Sequence, residues 1–351
     1  GFEVYVGGGQ GRTPHLAALV NDFVPEAELL DYAEAIMRVY NRHGRRDNKY
    51  KARIKILVRE SGADRFAEWV EREWDKIRDT DLRLDPGDIA RMQSYFVPPA
   101  YPDRRDSEVV AAQADQEAAF GRWVTHNVIA HKQAGYRIVT VSLKDPNDAP
   151  GDCTAEQMEC VADLADMHGF GEVRTTHEQN LILPDVPHEA LYTVWQALDA
   201  AGLATPNHGT ISDMIACPGL DFCSLANAGS IGVAREINAL FDDLDEQYDL
   251  GEIKLKMSGC MNGCGHHSVG HIGILGVDKK GEEWYQITLG GSAAEDAELG
   301  QRLGASVSRQ DIAPAIRKIV DRYTEVREGD ELFLDTVRRL GITPFREAVY
   351  G

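Results

Sequence analysis

No run of apolar residues approaches the roughly 18 that a membrane span needs, so the chain is not read as membrane-spanning. Positive charge is the scarcer sign. The chain has 37 lysines and arginines against 57 aspartates and glutamates, a formal net charge of −20. That balance argues against nucleic acid and anionic membrane surfaces as partners. Cysteine is scarce as well, with six in 351 residues. A disulfide scaffold is therefore not expected, and a reducing, cytoplasmic compartment fits better. No signal or transit peptide is visible. What is present suffices for two or three domains with ordinary cores, since 43% of the residues are hydrophobic.

Four of the six cysteines form two local pairs. Cys217-Pro-Gly-Leu-Asp-Phe-Cys223 has five residues between its thiols, and Cys260-Met-Asn-Gly-Cys264 has three. Gly259, Gly263 and Gly265 bracket the second pair. Structural zinc usually takes a Cys-x2-Cys knuckle, which neither pair has. Disulfides across such short loops would be strained and would do little for a chain this long. An iron–sulfur cluster is wider than one ion, tolerates longer spacings, and gains from small residues that leave backbone N–H groups free for its sulfurs. Spacing therefore favours a cluster, with zinc or no metal as the alternatives.

In chain order, GFEVYVGGGQGRTP reads as a strand running into a glycine loop. Gly7, Gly9 and Gly11 miss the dinucleotide fingerprint, because the third glycine is one residue early and Pro14 interrupts the helix. An anion-binding loop with Arg12 is the better reading. An amphipathic helix is expected over 26–43, with Leu29, Ala33, Ile36, Met37 and Tyr40 on one face and Gly44 as its stop. GRRDNKYKARIK is basic within an acidic chain. If extended, it points Lys49 and Lys51 to one side as an anion site. Pro98, Pro99 and Pro102 mark a linker.

Residues 136–202 alternate strand YRIVTVSL, a helix with a Thr154-x-x-Gln157 capping box stopped by Gly169, strands near EVRTT and NLILP, and a helix from Pro187 to Ala201. That order predicts a ferredoxin-like sandwich. Cys160 shares an apolar face with Val161 and Leu164, so it reads as core. Beyond Cys223 a helix is expected over roughly 224–241. EIKLKMS is expected to be a strand leading to Cys260, with VGHIGILGV and WYQITLG as buried strands.

The paired motifs ACPGLDFC and KMSGCMNGCGHHSVGHIGILG resemble the signature of the siroheme- and 4Fe–4S-dependent sulfite and nitrite reductases. The resemblance implies that Cys217, Cys223, Cys260 and Cys264 ligate the cluster and that Cys264 also bridges to siroheme. It implies that Lys49 and Lys51 contact the anionic substrate. It places Arg174, Gln179 and Asn180, within RTTHEQN, beside siroheme. His266, His267 and His271 are then outer-shell or structural rather than ligands. The implied reaction is six-electron reduction of sulfite to sulfide, or of nitrite to ammonia, with a ferredoxin or flavoprotein as donor. A 4Fe–4S electron-transfer or structural protein without siroheme is the alternative of another class.

An internal repeat runs beneath these motifs. A shift of 283 residues carries Gly7-Gly8 onto Gly290-Gly291, and Ile36, Met37 and Tyr40 onto Ile319, Val320 and Tyr323. A shift of 279 carries Val58, Arg59, Gly62, Phe66 and Val70 onto Val337, Arg338, Gly341, Phe345 and Val349. A duplication explains the ordered set. The first copy lacks the ferredoxin-like unit and cysteine region that precede the second. The chain is therefore expected to lack an N-terminal half-repeat, and with it part of the siroheme pocket. The expected fold class is α+β, a ferredoxin-like unit plus siroheme/4Fe–4S domains of a duplicated, pseudo-twofold reductase. The expected domains are 1–75 for the rest of the first siroheme-binding half, 76–133 for a linker, 134–205 for the ferredoxin-like half-domain, and 206–351 for the cluster domain.

Overall fold

The computed structural model describes residues 1–80 and 85–351. The chain divides into two compact units, Gly1–Pro99 and Ala100–Gly351, and the division falls in the proline stretch.

In the first unit, β1 (Phe2–Val6) and β2 (Ala18–Val24) pair antiparallel, followed by α1 (Leu29–His43), α2 (Ile54–Ser61), α3 (Ala63–Ile77) and α4 (Pro86–Gln93). α1 follows a short 3-10 turn at Glu26–Glu28 and buries Tyr32, Ala35, Ile36 and Val39. The buried stripe is rotated from the expected one, leaving Ala33 and Met37 exposed. Tyr32 turns the helix toward the core because it packs edge-on against Trp74 of α3. Gly44 ends the helix at φ −64°, so no left-handed cap is used.

The second unit begins with α5 (Glu108–Gln116) and α6 (Ala118–Asn127), then β3 (Val128–Ala130), β4 (Tyr136–Val141), α7 (Ala155–His168), β5 (Arg174–Thr175), β6 (Leu181–Pro187) and α8 (Leu191–Ala200). The capping box at Thr154 and Gln157 forms, and Gly169 caps α7. The sheet is antiparallel in the order β3-β4-β6-β5. This is the ferredoxin-like order, with the upstream β3 in the place of a fourth strand. Cys153 and Cys160 pack against this core, as expected for Cys160.

The rest comprises β7 (Ile215–Ala216), α9 (Ile231–Leu240), α10 (Leu244–Leu250), β8 (Leu255–Ser258), β9 (Ile272–Lys279), β10 (Glu282–Leu289), β11 (Gln301–Arg302), β12 (Val307–Ser308), α11 (Ile312–Val326), α12 (Phe333–Leu340) and α13 (Thr343–Tyr350). Its sheet runs β11-β10-β9-β8-β7, with β12 also on β10. The helix expected from 224 starts only at Ile231. The intervening loop is held elsewhere, because the N–H groups of Asn227 and Ala228 both donate to Gly259 O, at 2.8 and 3.1 Å.

The repeat is written into the backbone. α1 and α11 each have 15 residues, and α2 and α12 each have eight. The pairs Tyr5↔Leu19 and Val6↔Ala18 recur as Thr288↔Arg302 and Leu289↔Gln301. The bridge Gly9↔His15 recurs as Ser292↔Glu298. Gly62 and Gly341 follow their helices at φ +83° and +69°, with ψ of 150° and −177°. This region belongs almost to glycine alone, which explains why both copies keep it.

Candidate functional site

β7 and β8 lie parallel, with Ile215 opposite Lys256 and Ala216 opposite Met257. Parallel strands end on the same side of a sheet, where open sheets commonly place their ligands. Cys217 leaves the end of β7, and Cys260 follows β8 after one glycine. Tertiary pairing thus brings the first cysteine of each pair to one edge, and the two short loops return Cys223 and Cys264.

Backbone bonds hold the loops together. Cys217 N donates to Met257 O at 3.1 Å. Gly259 N donates to the Cys217 sulfur at 3.0 Å, a bond suited to a thiolate. Gly265 N donates to Ser258 Oγ at 3.0 Å. Close approach demands the glycines: a Cβ on Gly259 would lie 2.7 Å from Ala228 O, and one on Gly265 would lie 1.8 Å from Met257 O. All six cysteines are free thiols. Burial and the three thiols of Cys217, Cys260 and Cys223 together push the Cys264 thiol up, so all four share one electrostatic neighbourhood.

The donor set suits a cluster better than one ion. Tetrahedral zinc with 2.3 Å bonds to sulfur would hold the sulfurs roughly 3.8 Å apart. Among the described residues, the set of three His, Cys, Asp or Glu ligand atoms lying within 4.8 Å of one another is Glu178, His208 and Asp213, not three of the thiols. Four thiols spaced more widely than one tetrahedral ion would hold them fit a 4Fe–4S group. The Glu178–His208–Asp213 set is itself an ion-pair network. Lys254 reaches Glu178 at 2.9 Å and Lys144 reaches Asp213 at 3.3 Å.

Each remaining expected residue has a definite place. Arg174 is exposed and paired with Glu172. Asn180 is buried; its Oδ1 accepts Leu143 N at 3.1 Å and its Nδ2 donates to Asp213 Oδ1 at 2.9 Å. Gln179 grips the backbone of Ala216, donating to its carbonyl at 3.0 Å and accepting its N–H at 2.9 Å. Both side-chain amides are thus engaged by protein. In the first unit, Arg12 is exposed on a loop closed by the Gly9–His15 bridge and by Lys55, whose Nζ donates to Gln10 O and Thr13 O at 2.6 and 2.9 Å.

Lys49 and Lys51 are both exposed, but their segment is a turn rather than extended, with Lys51 N donating to Asn48 O at 2.9 Å. Asn48 starts the turn because its side chain also accepts Tyr50 N, a local bond that competes with extended backbone. Strict alternation of the two ammonium groups therefore does not apply, and Lys49 lies 5.2 Å from the Tyr50 ring centroid.

A cavity of about 260 Å³ opens beside β8, lined among others by His177, Lys254, Lys256, His271 and Ser292. Glu178 and Glu252 line it too, and Lys254 pairs with both, at 2.9 and 3.8 Å. Burial, then Lys254, Lys256 and Arg338, push His271 down to about 4, and its Nδ1 accepts Lys254 N at 3.2 Å. Burial, then His266, push His267 down to about 4 as well. Lys144 and Asp213 were not legible as functional in the sequence. The one signal is a lysine continuing the apolar run YRIVTVSLK, where a charge has to find a buried partner.

The profile of the nitrite and sulphite reductase 4Fe-4S domain family matches residues 1–78 and 208–351. That of the nitrite/sulfite reductase ferredoxin-like half domain matches 129–201. Sulfite reductase (ferredoxin) 2 of Mycolicibacterium paratuberculosis is 28% identical over 350 residues, covering 97% of this chain and 56% of that protein. The assimilatory ferredoxin-dependent nitrite reductase of Haloferax mediterranei is 29% identical, covering 97% and 55%. The structure of the Mycobacterium tuberculosis NirA protein matches with a TM-score of 0.72 at 26% identity, covering 98% of this chain and 58% of that one. The chain thus spans a little over half the length of the curated relatives it matches.

Proposed function

This chain belongs to the nitrite and sulphite reductase 4Fe-4S domain family, whose members carry siroheme and a 4Fe–4S cluster, and from that premise we propose that it is the cysteine-bearing part of an enzyme reducing sulfite to sulfide. The observation that carries this reading is the convergence of two parallel strands on Cys217 and Cys260, with Cys223 and Cys264 returned to the same edge. Cys217, Cys223, Cys260 and Cys264 would hold the cluster, with Cys264 the residue proposed to be shared with siroheme. Bound together, the two groups supply stored electrons at a Lewis-acidic iron.

The chain's own residues prepare that site. Gly259 N–H meets the Cys217 sulfur, and Gly259 and Gly265 let the backbone of the two loops pack closely. Lys256 lines the cavity beside β8 as a candidate partner for an anionic substituent, while Lys254 is held by Glu178 and Glu252. Lys49 and Lys51 are the candidates to neutralise the oxyanion and to feed protons as its oxygens leave as water. The electron donor is proposed to be a ferredoxin or a flavoprotein, in line with the relatives named for ferredoxin and for NADPH. No helix among the described residues is long and apolar enough to cross a membrane.

Relatives named for nitrite keep nitrite reduction as the second reading, since they match at 29% identity beside 27–28% for those named for sulfite. The test is anaerobic purification of the whole protein, its visible spectrum, and reduced-viologen assays with sulfite and nitrite. Haem-like bands and faster turnover of sulfite are expected. Haem-like bands with faster nitrite turnover favour the second reading. A broad iron–sulfur shoulder without haem-like bands overturns both.

A further inference from the structure

β7 is only two residues long and is the outermost strand of its sheet, so its far edge would ordinarily expose unpaired backbone groups. Gln179 closes that edge. Its carboxamide donates to Ala216 O and accepts Ala216 N, reproducing with one side chain the two bonds a neighbouring strand would make. Cys217 is the next residue.

The grip is one of three ties between segments 178–180 and 213–216. Lys144, fully buried, donates to Glu178 O at 2.6 Å and to Met214 O at 3.0 Å. Asn180 donates to Asp213 Oδ1 at 2.9 Å. Gln179 itself stands at φ +59°, uncommon for a side-chain-bearing residue. A tight turn holds it there, with Thr176 Oγ1 accepting Glu178 N and Asn180 N. Gly151 leaves room beneath: a Cβ there would lie 2.9 Å from Gln179 Cβ. A residue in a sparsely populated backbone region, with both ends of its side-chain amide bonded to the residue before a thiol, has a positioning task.

We propose that Gln179 is a positioning residue for Cys217, closing the outer edge of β7 so that the thiol leaves the sheet where Gly259 N–H meets its sulfur. This deepens the reading of the four cysteines as one ligand set and rests on it. One arm of the test does not need a cluster.

The test compares wild type with Gln179→Leu, which keeps bulk and removes both amide bonds. The whole protein, isolated anaerobically, is challenged with an iron chelator, and the freed thiols are then alkylated and read by mass spectrometry. Losing the two-point bond is expected to speed iron release about tenfold and to raise Cys217 alkylation about tenfold relative to Cys264 and Cys160. Equal release and an unchanged Cys217 ratio overturn the proposal. If the wild type holds no iron, the cluster reading fails. The alkylation ratio then decides Gln179 alone, a rise supporting it and no change overturning it. Should Gln179→Leu not fold, Gln179→Glu takes its place. It keeps the acceptor for Ala216 N and sets a carboxylate against Ala216 O, so it is judged by the same ratio.

Discussion

The sulfur of Cys217 and the backbone N–H of Gly259 lie 3.0 Å apart, joining the two cysteine loops across parallel strands. Any side chain on Gly259 breaks this junction, because its Cβ would meet Ala228 O at 2.7 Å and Gly219 Cα at 2.9 Å, both backbone atoms that cannot swing away. Gly259→Ala is expected to cost about 1–3 kcal/mol by overpacking and to lower iron content per chain. Thermal unfolding and iron analysis measure the two effects.

Cys153 and Cys160 pack beside the ferredoxin-like core, apart in sequence from the other four. Replacing Cys217, Cys223, Cys260 or Cys264 by Ser should lower bound iron and acid-labile sulfide. Cys153→Ala and Cys160→Ala should leave both unchanged at about 1 kcal/mol or less of stability.

Asp213 carries an acid-side signature. Burial opposes its charge, but His208, Lys144, the Gly209 N–H and Asn180 hold its carboxyl down to about 2 from an ordinary 3.8. A depressed carboxyl stabilises the fold above its ordinary value, and the contribution is lost as pH falls from about 4 toward about 2. The contribution is about 2 kcal/mol. Asp213→Asn should flatten that stretch of the stability profile and, by stranding the buried Lys144 charge, cost about 3 kcal/mol at neutral pH. Urea unfolding from about pH 2 to neutral pH reads both.

Gly62 and Gly341 are matched positions where a Cβ would meet nothing within 4 Å, so only backbone strain opposes substitution there. Gly62→Ala and Gly341→Ala should each cost about 1–3 kcal/mol. Denaturant midpoints of the two variants test whether the repeated turns are energetically alike.

Lys49→Ala and Lys51→Ala remove exposed ammonium groups that hold no part of the core. Viologen-linked turnover of the whole protein should fall at least about tenfold with iron content unchanged. Wild-type turnover in both variants would remove these lysines from the proposed anion site.

Sequence alone determined the features that local rules or copied residues encode. The Thr154–Gln157 box caps its helix because both bonds span three residues. The repeat was legible because duplicated turns keep the same glycines, and the strand register follows them. The spacing of the cysteine pairs favoured a cluster over zinc because ligand loops have size preferences. Tertiary structure alone decided that the pairs meet, since parallel pairing of Ile215 with Lys256 joins strands far apart in sequence. It also decided the late start of α9, drawn off by bonds to Gly259. Gln179 and Lys144 act through single side chains reaching distant backbone, a kind of contact that leaves no period in a sequence.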